Sequence, residues 1–225
     1  MSDFRIVAAG DAAWLVEWPA RIDDEVNRRA VLLADRARRL DPAVRDAVVG
    51  YCSTTIYFDP LRIDGTKLEI DLHQIASTLP AATQATPGQE VSVDVCYGGE
   101  FGPDLADVAM RAGISEADVV ALHTGRTYRV YVVGFIPGFP YMASLDERLA
   151  LPRRTSPRLR VPAGSVAIAA GQTGIYPRET PGGWHLIGRT RLKPFDSSRA
   201  DPFLFSPGDR VRFHSIDRSQ FERTS

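Results

Sequence analysis

Residues 134–190 read GFIPGFPYMASLDERLALPRRTSPRLRVPAGSVAIAAGQTGIYPRETPGGWHLIGRT, and the rest of the chain is organised around them. Glycine or proline recurs every few residues, with aromatic side chains and arginines between. Glycine admits positive φ or the close approach of another group, and proline fixes φ while removing a donor. Such a composition predicts a shaped surface of tight turns. A flexible linker shares the Gly/Pro content but not Phe135, Phe139, Tyr141, Val166, Ile168, Tyr176 and Trp184, which require burial or a partner.

Outward from this stretch, the pattern on both sides is of short elements. Upstream, 128–133 reads as a buried strand. Before it come two helices: one over 104–111 that stops at Gly113, and one from Ser115, with Asp118 as its capping-box partner, that ends at Gly125. Val91, Val93 and Val95 alternate with polar residues as a half-buried strand. Downstream strands are read at 165–170, 184–188 and 209–213. Many short strands broken by Gly/Pro turns predict a β-barrel or sandwich over 90–225. Residues 81–89, within the run PAATQATPGQ, are read as a linker. Ahead of it, 1–80 reads as a small α+β domain. Strands are expected at 4–8, 13–18, 46–51 and 54–58, with a turn at Gly10-Asp11. One helix carries Ile22, Val26, Ala30, Leu33, Ala37 and Leu40 on a single face, capped by Asp23 or Asp24 and ended by Asp41-Pro42; a second carries Leu68, Leu72, Ile75 and Leu79. The order β-β-α-β-β-α predicts an open sheet with both helices on one face.

Composition narrows the function classes. A net charge of −1 over 225 residues gives no reason to expect nucleic acid. No apolar run reaches the ~20 residues of a membrane span, so no membrane partner is expected. Cys52 and Cys96 stand far apart and read as reduced thiols of a cytoplasmic protein. The four histidines are scattered, and no metal site is expected.

Candidate chemistry gathers in the opening stretch. Phe135, Phe139 and Tyr141 read either as a ligand wall or as rings that merely pack. Arg148, Arg153, Arg154, Arg158 and Arg160 offer forked donors suited to carboxylate or phosphate, against the alternative of a solvated basic loop or rim pairs to a partner. Gly171-Gln172-Thr173-Gly174 and Thr180-Pro181-Gly182-Gly183-Trp184 read as turns whose N–H groups could cradle an anion, or as plain turns. No P-loop, G-x-S-x-G, H-E-x-x-H or G-x-G-x-x-G motif occurs. His123, near a helix end, reads as a packed residue or as a general base. The residues alone describe a binding or partial-site protein lacking a self-contained catalytic set.

Several runs carry a resemblance across nearly the whole chain: Cys96-Tyr97-Gly98-Gly99-Glu100-Phe101-Gly102-Pro103-Asp104, Pro152-Arg153-Arg154, Val161-Pro162-Ala163-Gly164-Ser165-Val166, Gln172-Thr173-Gly174-Ile175-Tyr176-Pro177 and Pro181-Gly182-Gly183-Trp184. The chain resembles the B subunit of the prokaryotic 5-oxoprolinase, the KipI or allophanate hydrolase subunit 1 family. Ala143-Ser144 departs from it, standing where the family has glycines. The resemblance implies a cyclophilin-like barrel after the α+β domain. It also implies two companions, a carboxyltransferase-like C subunit and an A subunit, which together with this chain open 5-oxo-L-proline to L-glutamate using ATP. A five-membered lactam is a poor electrophile, so such a system needs a carboxylate clamp, a place for phosphate and exclusion of water. Arg153, Arg158, Gln172, Tyr176 and the turn Gly182-Gly183-Trp184 are the residues expected to supply part of this, with Arg154 on the wall or interface. KipI-named relatives carry the alternative of a regulatory inhibitor that binds a sensor histidine kinase.

Overall fold

A computed structural model describes residues 3–79 and 88–223. The chain divides into two compact units, Met1–Pro87 and Gly88–Ser225. Of the expected linker, 81–87 lie outside the described residues.

The first unit is a four-stranded antiparallel sheet in the order β1-β2-β4-β3, formed by β1 (Arg5–Ala8), β2 (Ala13–Glu17), β3 (Val44–Val49) and β4 (Ser53–Phe58). Gly10, at φ 79, turns the chain between β1 and β2. Helix α1 (Asp24–Ala37) begins where the Asp23 carboxylate accepts from the N–H groups of Glu25 and Val26, each at 3.0 Å. Asp64 caps α2 (Gly65–Ser77) through the N–H of Thr66. Val26, Ala30, Leu33 and Ala37 of α1 and Leu68, Leu72 and Ala76 of α2 share one core with Val16, Ala47, Ile56 and Phe58 of the sheet. The expected helical face is longer than the helix. The last turn tightens, with Arg39 and Leu40 bonding back three residues, and Ile22 and Leu40 fall outside α1 and are exposed.

The second unit is a closed seven-stranded barrel. Its strands are β5 (Glu90–Tyr97), β6 (Thr127–Val133), β7 (Pro140–Ala143), β9 (Ser165–Ala169), β10 (Gln172–Ile175), β12 (His185–Arg189) and β13 (Arg210–Ile216), in the order β10-β7-β6-β13-β5-β12-β9. Only β5 and β13 run parallel. The strands β8 (Arg158–Val161) and β11 (Thr180–Gly182) form a separate ribbon. Helices α3 (Leu105–Ala112) and α4 (Glu116–Thr124) pack on the barrel, and α5 (Arg218–Arg223) closes the described chain. Gly113 ends α3 at φ 68, and Ser115 and Asp118 form the expected capping box.

All five residues of β9 are buried, without alternation, because both of its faces are covered. Val166 and Ile168 point into the barrel core with Val93, Val130, Met142 and Phe213. Ala167 and Ala169 point outward, into a second apolar cluster with Phe139, Val161, Tyr176, Trp184 and Leu186. That outer cluster positions the candidate site.

Candidate functional site

Small residues make the outer wall of the barrel low enough for rings to lie on it. At Gly174 of β10 a Cβ would come within 2.7 Å of the Phe139 ring, so glycine is what lets that ring settle. Phe139 then meets Tyr141, Tyr176 and Trp184 at centroid separations of 4.8, 5.0 and 5.6 Å, tilted or edge-on. Phe139, Tyr176 and Trp184 are buried and Tyr141 is half-buried. Phe135 behaves differently: it is 64% exposed and sits at φ 67, a conformation bulky residues rarely adopt. Holding it there costs on the order of 1–3 kcal/mol. The sequence therefore offers a ligand wall of which only Phe135 and Tyr141 reach the surface.

The two Gly-rich runs fold largely as strands. Gln172, half-buried, Thr173 and Gly174 belong to β10, whose ladder pairs them with β9 and, for Thr173 and Gly174, also with β7. Thr180 and Gly182 pair with β8. Short strands rich in Gly and Pro carry little β-propensity of their own, and neighbouring strands impose the extended form. Gly182 is required for another reason: a methyl group there would overlap the Tyr176 hydroxyl. Burial pushes that hydroxyl's pKa up to about 12, against a bond from the Trp184 backbone and the charge of Arg153, so it is a neutral group at pH 7.

Most arginines of the run are held by carboxylates. Asp104, 4% exposed, receives Arg158 Nη1 and Nη2 at 2.8 and 2.7 Å and Arg154 Nη1 at 3.0 Å. It also accepts the Leu186 N–H at 2.7 Å. Burial raises the Asp104 pKa, but these bonds and the two positive charges outweigh it and bring the carboxyl below its ordinary value. Arg158, expected to present its fork to a ligand, directs that fork inward. The sequence places Asp104 at the start of a helix and marks it with no other role. Here its side chain makes no cap bond to α3, and its partners lie 50 and 54 residues away.

His123 is not part of this face. It is fully buried, with its ring nitrogens 2.7 Å from the Tyr97 hydroxyl and 2.9 Å from Thr173 Oγ1. Burial pulls its pKa down to about 3. Of its two expected roles the geometry is that of a packed residue: the ring is neutral and has no exposed edge. A cleft of about 370 Å³ lies elsewhere on this unit, lined by Ser92, Asp94, Thr190–Leu192, Ile216 and Phe221.

The family model for the carboxyltransferase domain, subdomain C and D, matches residues 4–205, nearly the whole chain. This chain is a member of that carboxyltransferase subdomain family. Among curated relatives, the 5-oxoprolinase B subunit of Escherichia coli O157:H7 is 57% identical over 123 residues, covering 55% of this chain and 56% of that protein. The 5-oxoprolinase B subunit of Bacillus subtilis strain 168 is 34% identical over 233 residues, covering 97% of this chain and 95% of that one. Among solved structures, TTHA0988 superposes with a TM-score of 0.81 at 40% identity, covering 91% of this chain and 40% of that one. In that relative the matching fold therefore forms less than half of a longer polypeptide. The aromatic wall and the Asp104 cluster both lie inside the residues matched by the family. Among the described residues, no helix is long and apolar enough to cross a membrane.

Proposed function

We propose that this chain is the B subunit of an ATP-dependent 5-oxoprolinase, opening 5-oxo-L-proline to L-glutamate only together with C and A subunits. The observation that carries this reading is the alignment with the Bacillus subtilis B subunit, which spans nearly the full length of both chains. The cyclophilin-like kinship of the barrel belongs to the same reading. So does the division of labour: an outer wall of rings and arginines, with no self-contained catalytic set beside it, is what one component of a shared active centre would present. TTHA0988, in which the same fold is joined to a longer remainder, supports a companion domain as the other component.

ATP enters as the co-substrate of the complex, and this chain's residues do not fit a nucleotide. It has no P-loop; of its Gly-rich runs, one is a barrel strand paired on both sides, and the other pairs with β8 at Thr180 and Gly182. Among the described residues, no three His, Cys, Asp or Glu side chains gather to hold a cation beside phosphates. In this reading ATP binds on a partner, and this chain orients the lactam and excludes water from it.

The test is reconstitution of purified A, B and C components with 5-oxo-L-proline and ATP, omitting each in turn. Glutamate release is expected from the full mixture alone. Release without this chain, or full turnover by this chain by itself, would overturn the proposal. A chain that gives no glutamate in any mixture but inhibits a sensor kinase would favour the regulatory reading.

A further inference from the structure

Five arginines lie within residues 148–160, and the structure sorts them. Arg148 is paired with Asp146 at 2.8 Å, Arg154 and Arg158 with Asp104 at 3.0 and 2.7 Å, and Arg160 with Glu179 at 3.8 Å. Among the described residues, Arg153 is the one member of the run with no carboxylate within 4.0 Å. It is exposed, and its backbone is pinned on both sides. The carbonyl of Pro152 accepts from Nε2 of the buried His185 at 2.9 Å, and the N–H of Arg154 donates to the Gly183 carbonyl at 2.8 Å. These bonds lay the segment alongside Gly183 and Trp184, whose ring is 5.8 Å from that of Tyr141. The positive charge of Arg153 acts on the hydroxyls of both Tyr141 and Tyr176.

From this arrangement we infer that Arg153 forms a subsite for one small monocarboxylate, standing on a fixed block made by Asp104, Arg154 and Arg158. A guanidinium fork matches a carboxylate in two parallel bonds. The pinned backbone limits the ordering cost of binding to the side chain itself. Charge decides the ligand class. The block of Asp104 with Arg154 and Arg158 carries −1 + 2 = +1, and both guanidinium groups already face the aspartate. Arg153 brings the group to +2, but Arg154 and Arg158 already commit donors to Asp104. The fork of Arg153 therefore meets a single carboxylate in full and would leave most of a polyphosphate's charge without a matching fork. The half-buried Tyr141, beside Trp184 and within the field of Arg153, supplies ring surface for a compact apolar body. This inference rests on the proposed function only for the choice of lactam carboxylate as probe.

The test uses the full chain at low ionic strength, titrated by calorimetry and by NMR with 5-oxo-L-proline, with its carboxamide, and with inorganic triphosphate. The expected result is at least tenfold tighter binding of the carboxylate than of the carboxamide. Arg153→Gln should erase that preference and Arg153→Lys should keep part of it. Arg160→Gln, an exposed arginine of the same run, should leave it unchanged. The inference is overturned if the wild-type chain binds no carboxylate, if Arg153→Gln retains the preference, or if triphosphate binds more tightly through Arg153. Arg153-dependent binding in a chain whose reconstituted complex releases no glutamate would overturn the proposed function and leave this inference standing.

Discussion

Asp104 and His123 are both buried polar residues of the barrel unit, 4% and 0% exposed, and they are stabilised in opposite ways. Asp104 keeps its charge. Two guanidinium groups and a backbone N–H surround it, and those cations remain 31% and 25% exposed, so part of their hydration survives. His123 gives its charge up. Thr173 Oγ1 donates to the Ala167 carbonyl at 3.1 Å, so it accepts from a protonated His123 Nε2, which leaves Nδ1 to accept from the Tyr97 hydroxyl. The chain Tyr97–His123–Thr173–Ala167 is thus neutral from end to end and joins β5, α4, β10 and β9 across the core. A charged hub is tenable at the rim, where its partners reach water; in the middle of the core only a neutral, fully bonded chain is.

The largest effect should come from emptying the charged hub. Asp104→Asn leaves two arginines without their counter-ion, and a loss of about 3 kcal/mol is expected, read from the urea midpoint at constant slope. A loss below ~1 kcal/mol would mean that the pairs are no more than surface salt bridges. Next comes His123→Leu, which strands the Tyr97 hydroxyl, leaves Thr173 only its bond to the Ala167 carbonyl, and should cost about 2 kcal/mol. A neutral effect would show that the chain is dispensable.

pH sharpens the contrast further. The folded-state pKa of His123 is depressed below its ordinary 6.5, to about 3, so the unfolded chain binds the extra proton first. Stability should therefore begin to fall below pH 6.5, with a slope from this residue of up to about 1.4 kcal/mol per pH unit. Asp104, lowered from 3.8, contributes stability that is fully present above 3.8 and lost only as pH falls through its lower folded value. Between pH 6 and 4.5 the wild-type slope should exceed that of His123→Leu, and identical slopes would count against the buried neutral imidazole. The smallest change is Tyr97→Phe, which deletes one hydrogen bond and should cost about 1 kcal/mol, with no effect on carboxylate binding at Arg153.

How much was legible differs between the two units. In the first, Val26, Ala30, Leu33 and Ala37 mark the core face of α1 by spacing alone, and each packs where that spacing puts it. In the second, β6, β9, β12 and β13 could be read from short apolar runs, but β7, β8, β10 and β11 could not. In β7, β10 and β11 the three or four residues include Pro140, Gly174, Pro181 and Gly182, which argue locally for turns, while β8 is only four residues long and buries just Val161 fully. At the candidate site, the aromatic and arginine content was visible. Which rings surface and which arginines are occupied was not.

The sequence by itself determined the kinds of group present and the periodic elements, because helix faces, caps and alternating strands are set by neighbours within a few residues. The tertiary structure alone decided their roles. Asp104 meets Arg154 and Arg158 only because the fold brings the start of α3 beside the segment entering β8, while Arg153, next to them in sequence, meets no carboxylate among the described residues. Contacts between residues fifty or more positions apart depend on how the sheet closes, and no local pattern encodes them.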